Sequence, residues 1–181
     1  LPGKNKTEIA MDARKALMVP VMELLDSADG KKLLRFYNLL SDFGDEISGL
    51  DLEELRQYAD RAAATWVRQS LQGLSDTTEE LHETVEAWDA DESEVRKFAM
   101  LAERCAGLYV NTAEELSKHM ESVAGESMMR SVKSVFYRVA SFLHNTGRHK
   151  REAGRYFSMV YAYCTKTERQ EIHRVCSDSV L

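Results

Sequence analysis

The densest run of side chains able to do chemistry is Arg148-His149-Lys150-Arg151, extended by Arg155 and placed just after the turn signal Asn145-Thr146-Gly147. Clustered Lys and Arg attract anions, and beside an anionic surface each contributes about 1 kcal/mol. These five residues are therefore the candidate binding site for an anionic partner or a lipid headgroup. Basic side chains at a helix start oppose the helix dipole, so they contribute nothing locally and point toward use. The competing reading is a solvated helix start with no ligand.

Other chemistry is sparser. Arg148-x-Lys150-Arg151 also resembles, at this one site, the R-x-K-R pattern cut by secretory proprotein convertases. Asn5-Lys6-Thr7 is an acceptor triplet for N-glycosylation at Asn5, usable where a chain enters the secretory path. Cys105, Cys164 and Cys176 have no C-x-x-C spacing and read as small buried residues. If the protein is secreted, Cys164 with Cys176 is the first candidate disulfide. Twelve residues of continuous helix would hold them roughly 18 Å apart, so a bridge demands a helix break, for which Thr165 is the candidate. Phe136, Tyr137, Tyr156, Phe157, Tyr161 and Tyr163 lie near the basic segment and read as core, with Tyr163 the one expected at the surface.

No constellation for catalysis emerges. The chain has neither a G-x-x-x-x-G-K nor a G-x-G-x-x-G motif, and no thiol or serine carries a local nucleophile signature. A two-metal bundle site needs two Glu-x-x-His pairs, and only Glu79 with His82 fits. Glu115 and His119 read as a surface contact, while His144 and His149 flank a loop with too few ligands for a metal. The expectation is no catalytic residue, no metal and no cofactor.

The elements that must position these groups are helices throughout. Capping-box pairs appear at Asp51 with Glu54, Asp76 with Glu79, Asp91 with Glu94, Thr112 with Glu115 and Thr165 with Glu168. Each is followed by apolar residues at spacings of three and four, and no strand-like alternation is present. The reading is an all-α, compact antiparallel bundle of about six to eight helices. The first runs from Thr7 to before Gly30, with Ile9, Leu17, Val21, Leu24 and Leu25 inward and a kink or break at Pro20, inside the apolar stretch Ala16–Met22. Helices follow over 31–43, 51–73 and 77–90, with Gly44–Leu50 as a loop, Val85 and Trp88 inward, and a stop at Gly73. Then come 92–110 with Leu108 inward, 113–124 ending at Gly125, 127–145, 148–164 and 167–176. The stripe from Met128 to Leu143 is the most strongly patterned core face.

Composition bounds the function. The 181 residues are 44% apolar, without a run approaching the ~20 residues that span a bilayer as a helix. They read as a single domain over 1–181 with an acidic body, 1–125, and a basic C-terminal subregion, 126–181. Residues 126–181 carry 10 basic and 5 acidic side chains within a chain whose net charge is −6. Acidic bulk charge disfavours nucleic acid while leaving a local basic face available. The functional expectation is a non-enzymatic interaction protein that binds a protein partner, with a secreted or cell-surface setting favoured over the cytoplasm. The alternatives are a membrane-active, anionic-lipid-binding protein and a small-ligand-binding bundle. A homodimer would satisfy the long apolar stripes as well as a monomer does.

Overall fold

The computed structural model describes residues 3, 5–27, 29–43, 51–86 and 91–178. The expected loop Gly44–Leu50, the Val85 side chain and Trp88 lie outside the described residues. Among those described there is no strand. The helices are α1 (Lys6–Ser27), α2 (Gly30–Phe43), α3 (Leu52–Glu86), α4 (Glu92–Cys105), α5 (Asn111–His119), α6 (Ser122–Asn145), α7 (Lys150–Val160) and α8 (Lys166–Asp178). A π turn, Ala106–Val110, joins α4 to α5, and a 3-10 turn, Tyr161–Tyr163, follows α7.

Side-chain caps start α1, α3, α4 and α8, whereas α6 and α7 start without one. Asp51 Oδ1 accepts from the Glu54 amide at 3.1 Å, and Asp91 Oδ1 accepts from the Ser93 amide at 3.1 Å. Thr165 and Glu168 form a complete capping box: the Glu168 amide donates to Thr165 Oγ1 at 3.2 Å and the Thr165 amide to Glu168 Oε2 at 2.8 Å. Asn5 and Glu8 form a second at the start of α1, with bonds of 2.8 and 3.1 Å.

Two expected boundaries are absent. Helix α3 runs without interruption through Gly73 and Asp76, because the Asp76 carboxylate that signalled a cap and the hydroxyls beside it are used within the helix. Thr77 and Thr78 donate to the Gly73 and Leu74 carbonyls at 2.8 and 2.5 Å, and Asp76 accepts from Gln72 at 2.7 Å. Thr112 likewise donates to the Leu108 carbonyl at 3.0 Å, so the chain stays helical from α4 through the π turn into α5. The π turn adds a residue to the helical register, which turns Leu108 outward at 48% exposure instead of inward. Pro20 does not divide α1 either. Among its described side chains that helix buries Met18 and Leu25, seven residues apart on one face, and leaves Ile9, Val19 and Leu24 exposed; the Leu17 side chain lies outside the described ones. Gly125 lies inside α6, where a Cβ would stand 2.7 Å from the Ser117 carbonyl; the α5–α6 reversal falls earlier, at Met120 and Glu121.

Contacts between named pairs fix the directions. Helices α2 and α3 run antiparallel, since Gly30 packs on Trp66 while Tyr37 bonds Asp60, and the short turn at Gly147 folds α7 back along α6, where Phe136 meets Tyr156 and Tyr137 meets Phe157. Two reversals separate α3 from α6, which therefore run parallel. Their pairs Asp60 with Glu121 and Ser75 with Arg138 keep nearly constant sequence separations of 61 and 63. Helix α6 is the centre of one continuous core, with Val132, Phe136, Val139, Ala140, Phe142 and Leu143 fully buried.

Candidate functional site

The basic segment sits where α6 reverses into α7. Gly147 takes a left-handed φ of 69°, and its amide donates to the His144 carbonyl at 3.0 Å, closing the end of α6. Arg148 follows, and His149 is the residue from which α7 starts. The five candidate residues are adjacent in sequence but differ in their contacts with α4 and within α7.

Arg155 reaches the Glu103 carboxylate of α4 in a short ion pair, and the Tyr156 hydroxyl donates to the same oxygen at 3.1 Å. The Arg155 guanidinium beside Glu103 holds that carboxyl below its usual range, helped by the Tyr156 hydroxyl and opposed by partial desolvation. Arg148 lies 3.8 Å from Glu92, at the start of α4, and His149 Nδ1 lies 3.9 Å from Glu152. These contacts set carboxylates beside Arg155, Arg148 and His149, and the pairs to Glu92 and Glu103 show α7 running parallel to α4. Neither Glu92 nor Glu103 carries a local sequence signal of this role, since Arg155 and Glu103 are 52 residues apart.

Lys150 and Arg151 are the exception. Both are exposed, and among the described residues neither forms an ion pair. They stand at the mouth of a cleft of about 170 Å³ between the α6–α7 turn and α8. Ala153, Phe157 and Val175 provide its buried floor, with His144 and Cys176 on its walls. Two cations above an apolar floor can hold a carboxylate whose chain carries an adjoining apolar side chain. Of the five candidate residues, Lys150 and Arg151 are the two that border this apolar cleft without an ion pair among the described residues.

The remaining candidates have structural partners. All three thiols are free. Thr165 is the helix break expected between Cys164 and Cys176, but it falls beside Cys164, and α8 then carries Cys176 away by roughly 15 Å of helical rise. The pair is therefore held beyond bridging range. Cys164 donates to the Val160 carbonyl at 3.3 Å, and burial pushes the Cys105 and Cys164 thiols up. Asn5 is exposed and serves as the cap of α1. His82 packs edge-on against Phe142 at 5.5 Å. Glu115 pairs with Lys118 at 2.7 Å in place of His119, whose ring stacks on Tyr37 at 5.7 Å. Phe136, Tyr156 and Phe157 are buried, while Tyr137, Tyr161 and Tyr163 are half-buried against the core. Tyr163 is thus less exposed than its sequence context suggests.

No protein-family model matches the chain, and no curated protein or solved structure matches it significantly.

Proposed function

We propose that the protein is a non-enzymatic interaction module that binds an acidic segment of a protein partner at the edge formed by the α6–α7 turn and α8. The single observation that carries this reading is the unneutralised pair Lys150 and Arg151 above the cleft floored by Phe157 and Val175. A solvated helix start would leave those cations equally exposed, but it would not need an apolar recess beneath them. A secreted or surface-associated setting belongs to the same reading, supported by the exposed acceptor residue Asn5.

Anionic lipid is the second reading, favoured by Val19 at 55% and Leu24 at 54% exposure on α1. It is weakened by the burial of its other apolar source, the stripe from Met128 to Leu143. No described helix is long and apolar enough to cross a membrane.

The test replaces Lys150 and Arg151 together by Glu and measures binding of a fluorescent, non-helical Glu-rich peptide by anisotropy, with helicity followed by circular dichroism. Loss of binding at unchanged helicity supports the site. Unchanged binding removes the patch from the account.

A further inference from the structure

A second surface, sharing no residue with the basic edge, lies along the solvent side of the α3–α6 seam. Between the two helices is a groove of about 280 Å³. Ala64, Ala124, Ser127 and Ser131 keep its walls low, and buried Val67 and Met128 form its apolar floor. Small side chains on facing positions let a third helix approach to the roughly 8–10 Å of ordinary helix packing. Val123, at 75% the most exposed large hydrophobic residue among those described, is one turn before Ser127 on the same face of α6.

The charges around this groove are positive although the chain as a whole is acidic. Arg61 and Arg68 line it from α3, both exposed; the Arg61 guanidinium rests over the Tyr58 ring at 5.4 Å, and among the described residues neither arginine forms an ion pair. The one carboxylate in the lining, Asp60, is buried and already engaged by the Tyr37 hydroxyl at 2.6 Å and the Glu121 amide at 3.4 Å. Seven residues beyond Ser131, on the same face of α6, is Arg138. Its Nη2 donates to Ser75 at 2.6 Å, while its buried Nε has no hydrogen-bond partner. The seam from Asp60 to Ser75 is about 22 Å long, or roughly four helical turns.

We infer that this groove is a docking site for an amphipathic helix of a partner protein, carrying acidic residues seven apart on either side of small apolar ones. Arg61 and Arg68 are seven residues apart on one helix, about 10.5 Å along its axis, and carboxylates at the same spacing on a helix lying alongside meet both guanidiniums. The apolar floor and Val123 take the side chains between them. A flat anionic surface would engage the arginines while leaving the groove empty, which is why a helix is the occupant. Attraction acts within the Debye length, so the acidic body opposes encounter without preventing docking.

The test uses the full chain and a designed fluorescent helix of about 18 residues, built from Ala and Leu with Glu at seven-residue spacing, against a counterpart with Lys in those positions. The Glu helix binds and the Lys helix does not. Arg61→Glu with Arg68→Glu, and separately Ala124→Trp to fill the groove, each weaken binding by about tenfold or more at unchanged helicity. Lys150→Glu with Arg151→Glu leaves this binding intact, which separates the groove from the basic edge. Equal affinity for the two helices, no binding of either, or retention in the groove-filled variant overturns the inference. So does a lower sedimentation mass in the Arg61, Arg68 variant without any binding of the Glu helix, since the groove would then belong to a second copy of the chain. Flotation of the wild-type chain with anionic vesicles that is lost in that same variant overturns it in favour of a lipid surface.

Discussion

Arg155 on α7 and Glu103 on α4 form an ion pair across a parallel helix contact, and the ring of Tyr156 lies under the same guanidinium, 5.1 Å from it. Both charged side chains are about half exposed, so solvent screening limits the pair to less than about 1 kcal/mol of stability. Its larger consequence is for recognition, because it removes one cation from the basic edge. Glu103→Gln is expected to lower the urea midpoint slightly while strengthening binding of a Glu-rich peptide severalfold. Anisotropy titrations of wild type and variant check this, and weaker binding in the variant would contradict it.

Tyr37 and Asp60 tie α2 to α3 inside the core. Burial first, and the adjacent Asp60 carboxylate second, push the Tyr37 hydroxyl far above its ordinary range, and Tyr156 is raised by burial and by Glu103. A tyrosine whose folded pKa is raised contributes stability that is complete below the unfolded value near 10 and is lost as pH rises above it. Ultraviolet titration should therefore show two tyrosines ionising only together with loss of helicity. Tyr37→Phe, which strips a donor from a buried carboxylate, should cost about 1–3 kcal/mol in urea unfolding.

Glycine positions separate one long α3 from two shorter helices. A Cβ at Gly73 meets nothing within 4 Å, whereas one at Gly125 meets the Ser117 carbonyl at 2.7 Å. Gly73→Ala should stabilise by roughly 0.5–1 kcal/mol, as expected in a helix interior. Gly125→Ala should destabilise by about 1–3 kcal/mol, because backbone must move. Thermal unfolding of the two variants decides the matter, and a destabilised Gly73→Ala would restore the helix end at that residue.

Much of this architecture was legible from local chemistry, and the failures share a cause. Asp51, Asp91 and Thr165 were readable as caps because a capping residue is satisfied by its own neighbours. Asp76 and Thr112 carry the same signature, yet packing keeps their backbone helical and their side chains bond within the helix. Leu108 could not be placed because a π turn has no hydrophobic period of its own. For the site, the basic run was visible, but which cations remain free depends on Glu92 and Glu103 arriving from a distant helix. The α3–α6 groove left no local trace, since it exists only when two helices separated by two reversals run parallel.

Lys133 on α6 and Glu168 at the start of α8 are the more protected ion pair, at 2.9 Å with 15% and 26% side-chain exposure. Burial alone would raise the Glu168 carboxyl, but the Lys133 ammonium and the Thr165 amide more than offset it and hold it below the usual range. A depressed carboxyl contributes stability that is present above the unfolded value near 4.3 and is lost as pH falls through the folded one. Lys133→Met should cost about 1–2 kcal/mol near neutral pH, and the difference from wild type should shrink in acid. A pH series of urea midpoints that stays parallel for the two proteins would contradict this assignment.

The most direct measurement of the central claim compares two probes on the wild-type protein at low and physiological salt: a Glu-rich peptide followed by anisotropy, and neutral or anionic vesicles followed by flotation. Binding of a Glu-rich peptide kept non-helical by proline is expected to weaken with salt and to disappear when Lys150 and Arg151 are reversed to Glu, with no flotation on either vesicle. Flotation on anionic vesicles alone, without peptide binding, would contradict it and assign the basic edge to a membrane surface.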